Sequence, residues 1–212
     1  MRKLLIGGNW KMNNGIADTV KFAGLIKEKK ISTEDIDVFV APPFTSLAEA
    51  VRSFRSSGIS IAAQNLFWED SGAYTGEISS DFLKEIGVEW VIIGHSERRT
   101  YFGETNAGVR KKVEKALQKG LKVVICIGET EEEREEGRAK EVVEKQIEEG
   151  LLNIEYEADN LAVAYEPVWA IGTGKTPHPE DAEEMHSIIR ENLNDKGEKI
   201  RIMYGGSVKA HN

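Results

Sequence analysis

Glu166 has the surroundings expected of a general base. The apolar run Leu161–Ala164 and then Tyr165 precede Glu166, and Pro167 follows it directly. A buried strand that ends in this way presents a fixed carboxylate at the mouth of a sheet. The loop 168–175 contains two glycines and closes on a lysine, so it can fold over a bound ligand. The pattern predicts proton abstraction by a carboxylate beneath a closing loop.

A histidine is the second candidate for proton transfer. His95 follows the apolar run Val91–Ile93 and precedes a segment, through Tyr101, that is expected to form a short helix. N–H groups at a helix N-terminus disfavour positive charge, so the imidazole should be neutral and able to donate a hydrogen bond. Considered alone, His95 could equally be a packed side chain bonded to a main-chain carbonyl. The presence of Glu166 favours the functional interpretation.

A lysine and an asparagine form a third candidate group. Asn9 and Lys11 are two residues apart in a segment that is expected to be extended, so both side chains can point the same way. An ammonium group there would balance the charge of a bound anion. The alternative is a solvated lysine just past a strand.

The elements that must position these residues are seven short runs rich in apolar and β-branched residues. Most are nearly continuous, which is typical of strands buried on both faces. Polar segments with helical spacing lie between them, such as Val109–Leu117 and Ala182–Leu193. Alternating strands and helices predict a parallel sheet with helical crossovers. The predicted strands are Leu4–Ile6, Val38–Val40, Ile59–Ala62, Trp90–Ile93, Val123–Ile127, Leu161–Ala164 and Ile200–Met203.

The positions of the unusual polar residues select the architecture. Each candidate follows the carboxyl end of a predicted strand, where βα barrels place their active sites. We therefore predict an α/β fold, the (β/α)8 or TIM barrel, as a single domain over residues 1–212. Such barrels typically run to about 250 residues. Only residues 208–212 follow Gly205-Gly206-Ser207, so seven βα units are visible and the eighth, C-terminal unit is expected to be missing.

Composition excludes several classes of function. The chain of 212 residues carries a net charge of −8 with scattered lysines and arginines, which argues against a nucleic-acid partner. No apolar run approaches the roughly 18 residues of a membrane span. The apolar start is too short for a signal peptide. A single cysteine excludes an internal disulfide. We expect a cytoplasmic protein.

Two motifs are interpreted as structural. The glycine-rich segment 172–176 resembles a phosphate-binding P-loop, but Trp169 stands where that motif needs its first glycine, and prolines follow where a helix should begin. Cys126 is interpreted as a small buried residue rather than a nucleophile, since no histidine adjoins it in sequence.

Two further patterns lack specific chemistry. The acidic run Glu129–Glu136 is interpreted as the solvated start of a helix, where acidic residues favour the helix dipole. The four histidines show no zinc-binding spacing, so neither a metal nor another cofactor is expected.

The sequence resembles the triosephosphate isomerases over essentially all of its length. Six strings together carry this resemblance: 8–12 (GNWKM), 63–65 (AQN), 72–77 (GAYTGE), 94–99 (GHSERR), 164–175 (AYEPVWAIGTGK) and 204–207 (YGGS).

The resemblance implies an isomerase of glycolysis and gluconeogenesis that interconverts dihydroxyacetone phosphate and glyceraldehyde 3-phosphate. Glu166 would remove a proton from the carbon beside the carbonyl, and neutral His95 would polarise the carbonyl and move the proton between the two oxygens. Lys11 and Asn9 would stabilise the enediolate and the phosphate dianion. Ser96 would hold the resting base, and Glu97 would help to position the cluster.

The resemblance also implies a phosphate site, a lid and a dimer contact. The phosphate would be bound by Asn9, Lys11, Gly172, Gly205, Gly206 and Ser207. The lid would consist of Pro167, Val168, Trp169, Ala170, Ile171, Gly172, Thr173, Gly174, Lys175 and Thr176. Thr75 would enter a neighbouring subunit, with Gln64 and Asn65 beside it, which implies a homodimer or an assembly of dimers.

Two departures from the family pattern affect these expectations. Pro177 occupies the distal hinge of the lid, where a smaller residue is more usual, and its fixed φ is expected to stiffen opening. The family's last βα unit supplies two donors to the phosphate, so the 212-residue chain is expected to be a poor enzyme. The alternatives are a phosphate-binding barrel or fragment without catalysis, and another phosphosugar enzyme on the same fold.

Overall fold

Strands and helices alternate along the chain. The computed structural model describes residues 2–30, 32–170, 178–206 and 208. The strands are β1 (Leu4–Asn9), β2 (Ile36–Ala41), β3 (Ile59–Ala63), β4 (Trp90–Ile93), β5 (Lys122–Ile127), β6 (Leu161–Tyr165) and β7 (Arg201–Tyr204). The helices are α1 (Ile16–Lys29), α2 (Leu47–Ser53), α3 (Ser80–Ile86), α4 (Ser96–Phe102), α5 (Asn106–Gln118), α6 (Glu131–Glu135), α7 (Ala139–Leu151) and α8 (Pro179–Asn192).

The first of two compact units comprises residues 1–93 and 114–123. Its strands β1, β2, β3 and β4 are parallel and lie side by side in chain order. The register of the first pair runs from Leu4 opposite Ile36 to Asn9 opposite Ala41. Phe39 stacks on Trp90 with the ring centroids 5.8 Å apart, and both side chains are buried. Burial of aromatic surface of this size is a main source of stability in such a core.

The second unit comprises residues 94–113 and 124–212. β6 pairs in parallel with β7, and all five residues of β6 are buried. On its other side β6 lies next to β5. Just beyond the end of β6, the main-chain N–H of Glu166 donates to the carbonyl of Ile127 at 2.7 Å. A strand covered on both faces needs a continuous apolar sequence, which is what the run before Glu166 provides.

The predicted elements are confirmed. Six of the seven predicted runs lie within a strand, and the seventh begins one residue early because β7 starts at Arg201. The predicted segment Val109–Leu117 lies in α5, and Ala182–Leu193 lies in α8 apart from its last residue. Burial on both faces is wrong for β1, where Leu4 is 67% and Ile6 53% exposed. In the described part of its unit β1 pairs with β2 alone, so it lacks the cover that a central strand receives.

The helices give no sign of a transmembrane segment. Among the residues described above, none of the helices combines the length and the apolar character that a bilayer crossing requires.

Candidate active site

The carboxylate of Glu166 is enclosed at the end of β6. The residue is 4% exposed. Two glycines, each just beyond a strand, allow the chain to pack this closely. A Cβ atom at Gly128 would lie 1.8 Å from the carbonyl oxygen of Glu166, and one at Gly205 would lie 2.8 Å from its Cγ. No residue with a side chain would fit at either position without displacing Glu166.

Both oxygens of this carboxylate face the start of α4. Oε2 of Glu166 accepts a hydrogen bond of 3.0 Å from the main-chain N–H of Ser96, the first residue of the helix. Oε1 lies 3.4 Å from Nε2 of His95. The main-chain N–H at this position has no partner within the helix, so it is available to the carboxylate. The structure thus places the two predicted proton-transfer residues next to each other.

The imidazole of His95 is oriented by its own helix. His95 caps the N-terminus of α4, as predicted, and is 8% exposed. Its Nδ1 accepts a hydrogen bond of 3.2 Å from the main-chain N–H of Glu97. An accepting Nδ1 carries no proton, so this bond assigns the neutral tautomer with its proton on Nε2. The Nε2–H group is the one that faces Glu166.

Cys126 is buried near the same carboxylate. Burial, and secondarily the charge of Glu166, raise the pKa of its thiol well above the ordinary value. A thiol is a weak nucleophile until it loses its proton, so Cys126 is inert at neutral pH. Its interpretation as a small buried residue is confirmed.

Glu129 is a residue that sequence reasoning placed wrongly. It belongs to the acidic run interpreted as a solvated helix start, yet it has no exposed surface. Its Oε1 accepts hydrogen bonds from Oη of Tyr165 at 3.0 Å and from Nε1 of Trp169 at 2.9 Å. Nη1 of Arg134 lies 3.4 Å from the same oxygen. Three donors converge on Oε1 and offset part of the cost of burying this carboxylate, whereas Oε2 is buried with no hydrogen-bond partner among the described residues.

The Glu129 cluster is therefore an anchor at the base of the segment that follows Glu166. Burial, then the charge of Glu129, raise the pKa of Tyr165, so its hydroxyl stays protonated and keeps donating. The guanidinium of Arg134 also lies 4.8 Å from the centroid of the Trp169 ring. The one signal in the sequence was position: Glu129 comes two residues after β5 ends, whereas α6 begins only at Glu131.

This arrangement can transfer protons. Oε1 of the buried carboxylate lies 3.4 Å from Nε2 of an imidazole whose Nδ1 accepts a main-chain hydrogen bond. A substrate between the two would meet a base and a hydrogen-bond donor, which is the requirement for moving a proton beside a carbonyl group. The described residues contain no group of three or more His, Cys, Asp or Glu that could hold a metal ion.

Comparison with known sequences agrees with this geometry. The model of a protein family described as triosephosphate isomerase matches residues 4–212. The chain belongs to the triosephosphate isomerase family. Among curated relatives, the triosephosphate isomerase of Moorella thermoacetica is 50% identical, with all of this chain and 87% of the relative aligned. That of Alkaliphilus metalliredigens is 46% identical, with all of this chain and 88% of the relative aligned.

Membership of the triosephosphate isomerase family confirms the resemblance found in the sequence. It also confirms the predicted fold class, a βα barrel, and the predicted enzyme class, an isomerase. This family is itself the standard example of a carboxylate base working with a neutral histidine.

Asn9 and Lys11, the third candidate group, lie in the first unit at the end of β1. The expected extended segment is wrong, because Lys11 has a left-handed φ of 53°. Its main-chain N–H donates to Oδ1 of Asn9 at 3.0 Å, and its carbonyl accepts from Nε2 of Gln64 at 2.8 Å. Two side chains thus hold the backbone of Lys11 in a conformation that L-residues seldom adopt.

The residues predicted for the dimer contact and the phosphate site differ in their exposure and hydrogen bonding. Thr75 lies at an exposed turn, and Asn65 is buried at the end of β3. The N–H of Gly205 donates to the carbonyl of Tyr165 at 2.7 Å, so this donor is already engaged; Gly206 follows it. Pro167 and the short 3-10 helix Val168–Ala170 are the described part of the predicted lid. Ile171, Gly172, Thr173, Gly174, Lys175, Thr176, Pro177 and Ser207 lie outside the described residues.

Proposed function

We propose that this chain interconverts dihydroxyacetone phosphate and glyceraldehyde 3-phosphate through an enediolate. The observation that carries the proposal is the pairing of the Glu166 carboxylate with Nε2 of His95 at 3.4 Å, in a chain of the triosephosphate isomerase family. Both groups are buried, where little water competes for the proton.

The reaction divides into three proton transfers. Glu166 takes a proton from the carbon beside the carbonyl of the ketose, and the electron pair moves onto the carbonyl oxygen. Nε2–H of His95 stabilises that oxygen and relays a proton between the two oxygens of the enediolate. Glu166 then returns its proton to the neighbouring carbon, which gives the aldose. These steps need no redox chemistry, so no cofactor is part of the proposal.

The remaining roles are proposed from the family pattern. Lys11 and Asn9 stabilise negative charge on the substrate, and Glu97 helps to position the His95 cluster. The phosphate is bound by Gly172, Gly206 and Ser207, with Gly205 supporting them. Residues 167–176 act as a lid, because a solvated enediolate phosphate can eliminate its phosphate.

The assembly and the setting of the enzyme are also proposals. The loop around Thr75, with Gln64 and Asn65, joins two subunits into a homodimer. The exposure of Thr75 at a turn supports this role. We propose that the enzyme is cytoplasmic and that residues 1–212 form one domain.

A coupled isomerase assay with glyceraldehyde 3-phosphate tests the proposed function. The Glu166→Gln variant keeps the size of the side chain but removes the base, and we expect kcat to fall roughly 10²- to 10⁴-fold. Glu135→Gln, at an exposed position on α6, is the matched control and should keep full activity. Equal turnover by the Glu166 variant and its control would refute the assignment of the base.

The same assay addresses the non-catalytic alternative. A parent protein that binds a phosphorylated substrate analogue in calorimetry but shows no isomerisation would be a phosphate-binding barrel. Turnover of a larger sugar phosphate in place of the triose would instead identify another phosphosugar enzyme.

A further inference from the structure

The guanidinium of Arg99 joins three parts of the second unit. Arg99 lies on α4, and its Nε donates a hydrogen bond of 2.8 Å to the carbonyl of Gly94. Nη2 donates to the carbonyl of Cys126 at 3.3 Å, and Nη1 donates to Oδ1 of Asn106 at 2.6 Å. One side chain thus connects the residue after β4, the end of β5 and the start of α5.

Two of these acceptors adjoin the proposed reaction centre. Gly94 directly precedes His95 in the chain, and Cys126 directly precedes Ile127, whose carbonyl accepts from the main-chain N–H of Glu166 at 2.7 Å. The Arg99 bonds therefore act on the backbone that carries the imidazole and on the strand end beside the base.

The backbone at Gly94 is closely packed against this side chain. Gly94 has a left-handed φ of 78°. A Cβ atom there would lie 3.0 Å from Nη2 of Arg99 and 3.1 Å from the carbonyl oxygen of Cys126. The turn that leads into His95 is thus fixed by its own geometry and by the guanidinium behind it. Loss of the guanidinium would leave the Gly94 and Cys126 carbonyls without this partner.

The third acceptor makes the arrangement rigid. Asn106 accepts from Arg99 and donates through Nδ2 to Oε2 of Glu149 at 2.8 Å, which connects α5 to α7. Only arginine offers several N–H donors in one fixed plane, so a lysine cannot make all three bonds of Arg99.

The charge of Arg99 is also suited to this place. Burial lowers the pKa of its guanidinium, whereas the charges of Glu104 and Glu166 oppose that change. A guanidinium stays protonated throughout the physiological range. A permanent positive charge therefore lies within the electrostatic range of Glu166.

We infer that Arg99 is a positioning residue for the isomerase reaction. Through its hydrogen bond to the Gly94 carbonyl, Arg99 holds the imidazole of His95 in place beside the carboxylate of Glu166. This inference rests on the proposed function and adds a residue that contacts no substrate. It predicts a loss of turnover rather than of substrate binding, because the imidazole acts on the reacting oxygens while other groups bind the phosphate.

Steady-state kinetics of Arg99→Gln test the inference. We expect kcat to fall roughly 10- to 100-fold, as a displacement of about 1 Å in a reacting group can cause, with little change in KM. Arg99→Lys keeps the charge and should lose less. Arg138→Gln is the matched control, because Arg138 pairs with Glu136 on the exposed surface. A parent-like kcat in Arg99→Gln, or an unchanged kcat with a raised KM, would overturn the inference.

A double-mutant cycle separates positioning from general destabilisation. If Arg99 acts through His95, then Arg99→Gln should cost almost nothing in a His95→Asn background. An equal fold loss in both backgrounds would show that Arg99 acts elsewhere and would overturn the inference. If His95→Asn itself keeps full activity, the proposed function fails first, and the two failures are thereby distinguished.

A nitrogen NMR spectrum of the imidazoles provides a readout that does not depend on activity. In ¹⁵N-histidine-labelled protein, the signal that disappears in His95→Asn belongs to His95. We expect Arg99→Gln and Arg99→Lys to shift this signal, and Arg138→Gln to leave it in place. Because Arg99→Lys is the milder change, it keeps the test open if Arg99→Gln does not fold. An unmoved His95 signal in Arg99→Lys would count against positioning.

Discussion

The main-chain N–H of Ser96 donates a hydrogen bond of 3.0 Å to Oε2 of Glu166, 70 residues away in the chain. The family resemblance implied that Ser96 holds Glu166, and the hydrogen bond between them in the structure comes from the backbone of Ser96. An N–H at the first turn of a helix has no partner within the helix, so it is available to a carboxylate.

This bond can be removed without disturbing the helix. Proline has no N–H and is favoured at the first helical position, which Ser96 occupies. His95 has φ −52° and ψ 139°, the extended conformation that a residue before proline requires. We expect Ser96→Pro to fold and to lose roughly tenfold or more in kcat/KM, since a hydrogen bond to a charged group contributes about 1.5–3 kcal/mol. Steady-state kinetics and a thermal melt measure both effects.

Ser96→Ala is the control for that experiment, because it keeps the N–H and removes only the hydroxyl. We expect its kinetics to stay close to those of the parent. If the alanine variant were the more damaged of the two, the hydroxyl rather than the backbone would be holding Glu166.

Gly128 should be as sensitive to substitution as a catalytic residue. The added Cβ of Gly128→Ala would lie 1.8 Å from the carbonyl oxygen of Glu166, and backbone cannot yield as a side chain can. We expect kcat to fall about 10²-fold through displacement of the base. Gly24→Ala is the control: nothing lies within 4 Å of its added Cβ in α1, and it should stabilise the protein by about 0.4–1 kcal/mol. A Gly128→Ala variant as active as Gly24→Ala would contradict the packing argument.

The buried charge of Glu129 makes the Tyr165 hydroxyl important for stability. Tyr165→Phe removes one of three donors to that carboxylate, at a site with no access to solvent. We expect the free energy of unfolding to fall by about 1.5–3 kcal/mol, measured by urea denaturation. Tyr101→Phe, at a residue that is 75% exposed, should leave it unchanged. Equal stability of the two variants would mean that the hydroxyl contributes nothing to holding Glu129.

The pKa of Cys126 predicts how the protein responds to alkylation. Because burial raises this pKa, the native thiol should hardly react with iodoacetamide at pH 8. In urea its pKa returns to about 8.5, so the thiol should react readily. Cys126 is the single cysteine of the chain, so the mass shift reports on it alone. Native labelling whose rate levels off between pH 6 and 8 would contradict a raised pKa, because a thiol with a raised pKa gains thiolate throughout that range.

The placement of the candidate base and histidine followed from local pattern. Glu166 and His95 each come just after an apolar run, and such a run specifies a buried parallel strand wherever it occurs in the chain. A residue beyond that strand must lie at its carboxyl end, whatever the rest of the fold does. The N-cap position of His95 was predictable for the same reason, since the helix start is encoded within a few residues.

Only the tertiary structure determines which residues form hydrogen bonds with each other. Glu129 is charged and stands in an acidic run, so its sequence describes an exposed residue; its burial depends on Tyr165, Trp169 and Arg134, up to 40 residues away. Likewise, the left-handed backbone of Lys11 is held by Gln64, 53 residues further on. Local periodicity carries no information about which distant donor meets a given carboxylate or carbonyl. Those pairings arise only when the strand ends are brought together, because a buried polar group takes the partner that the packed chain places within hydrogen-bond distance.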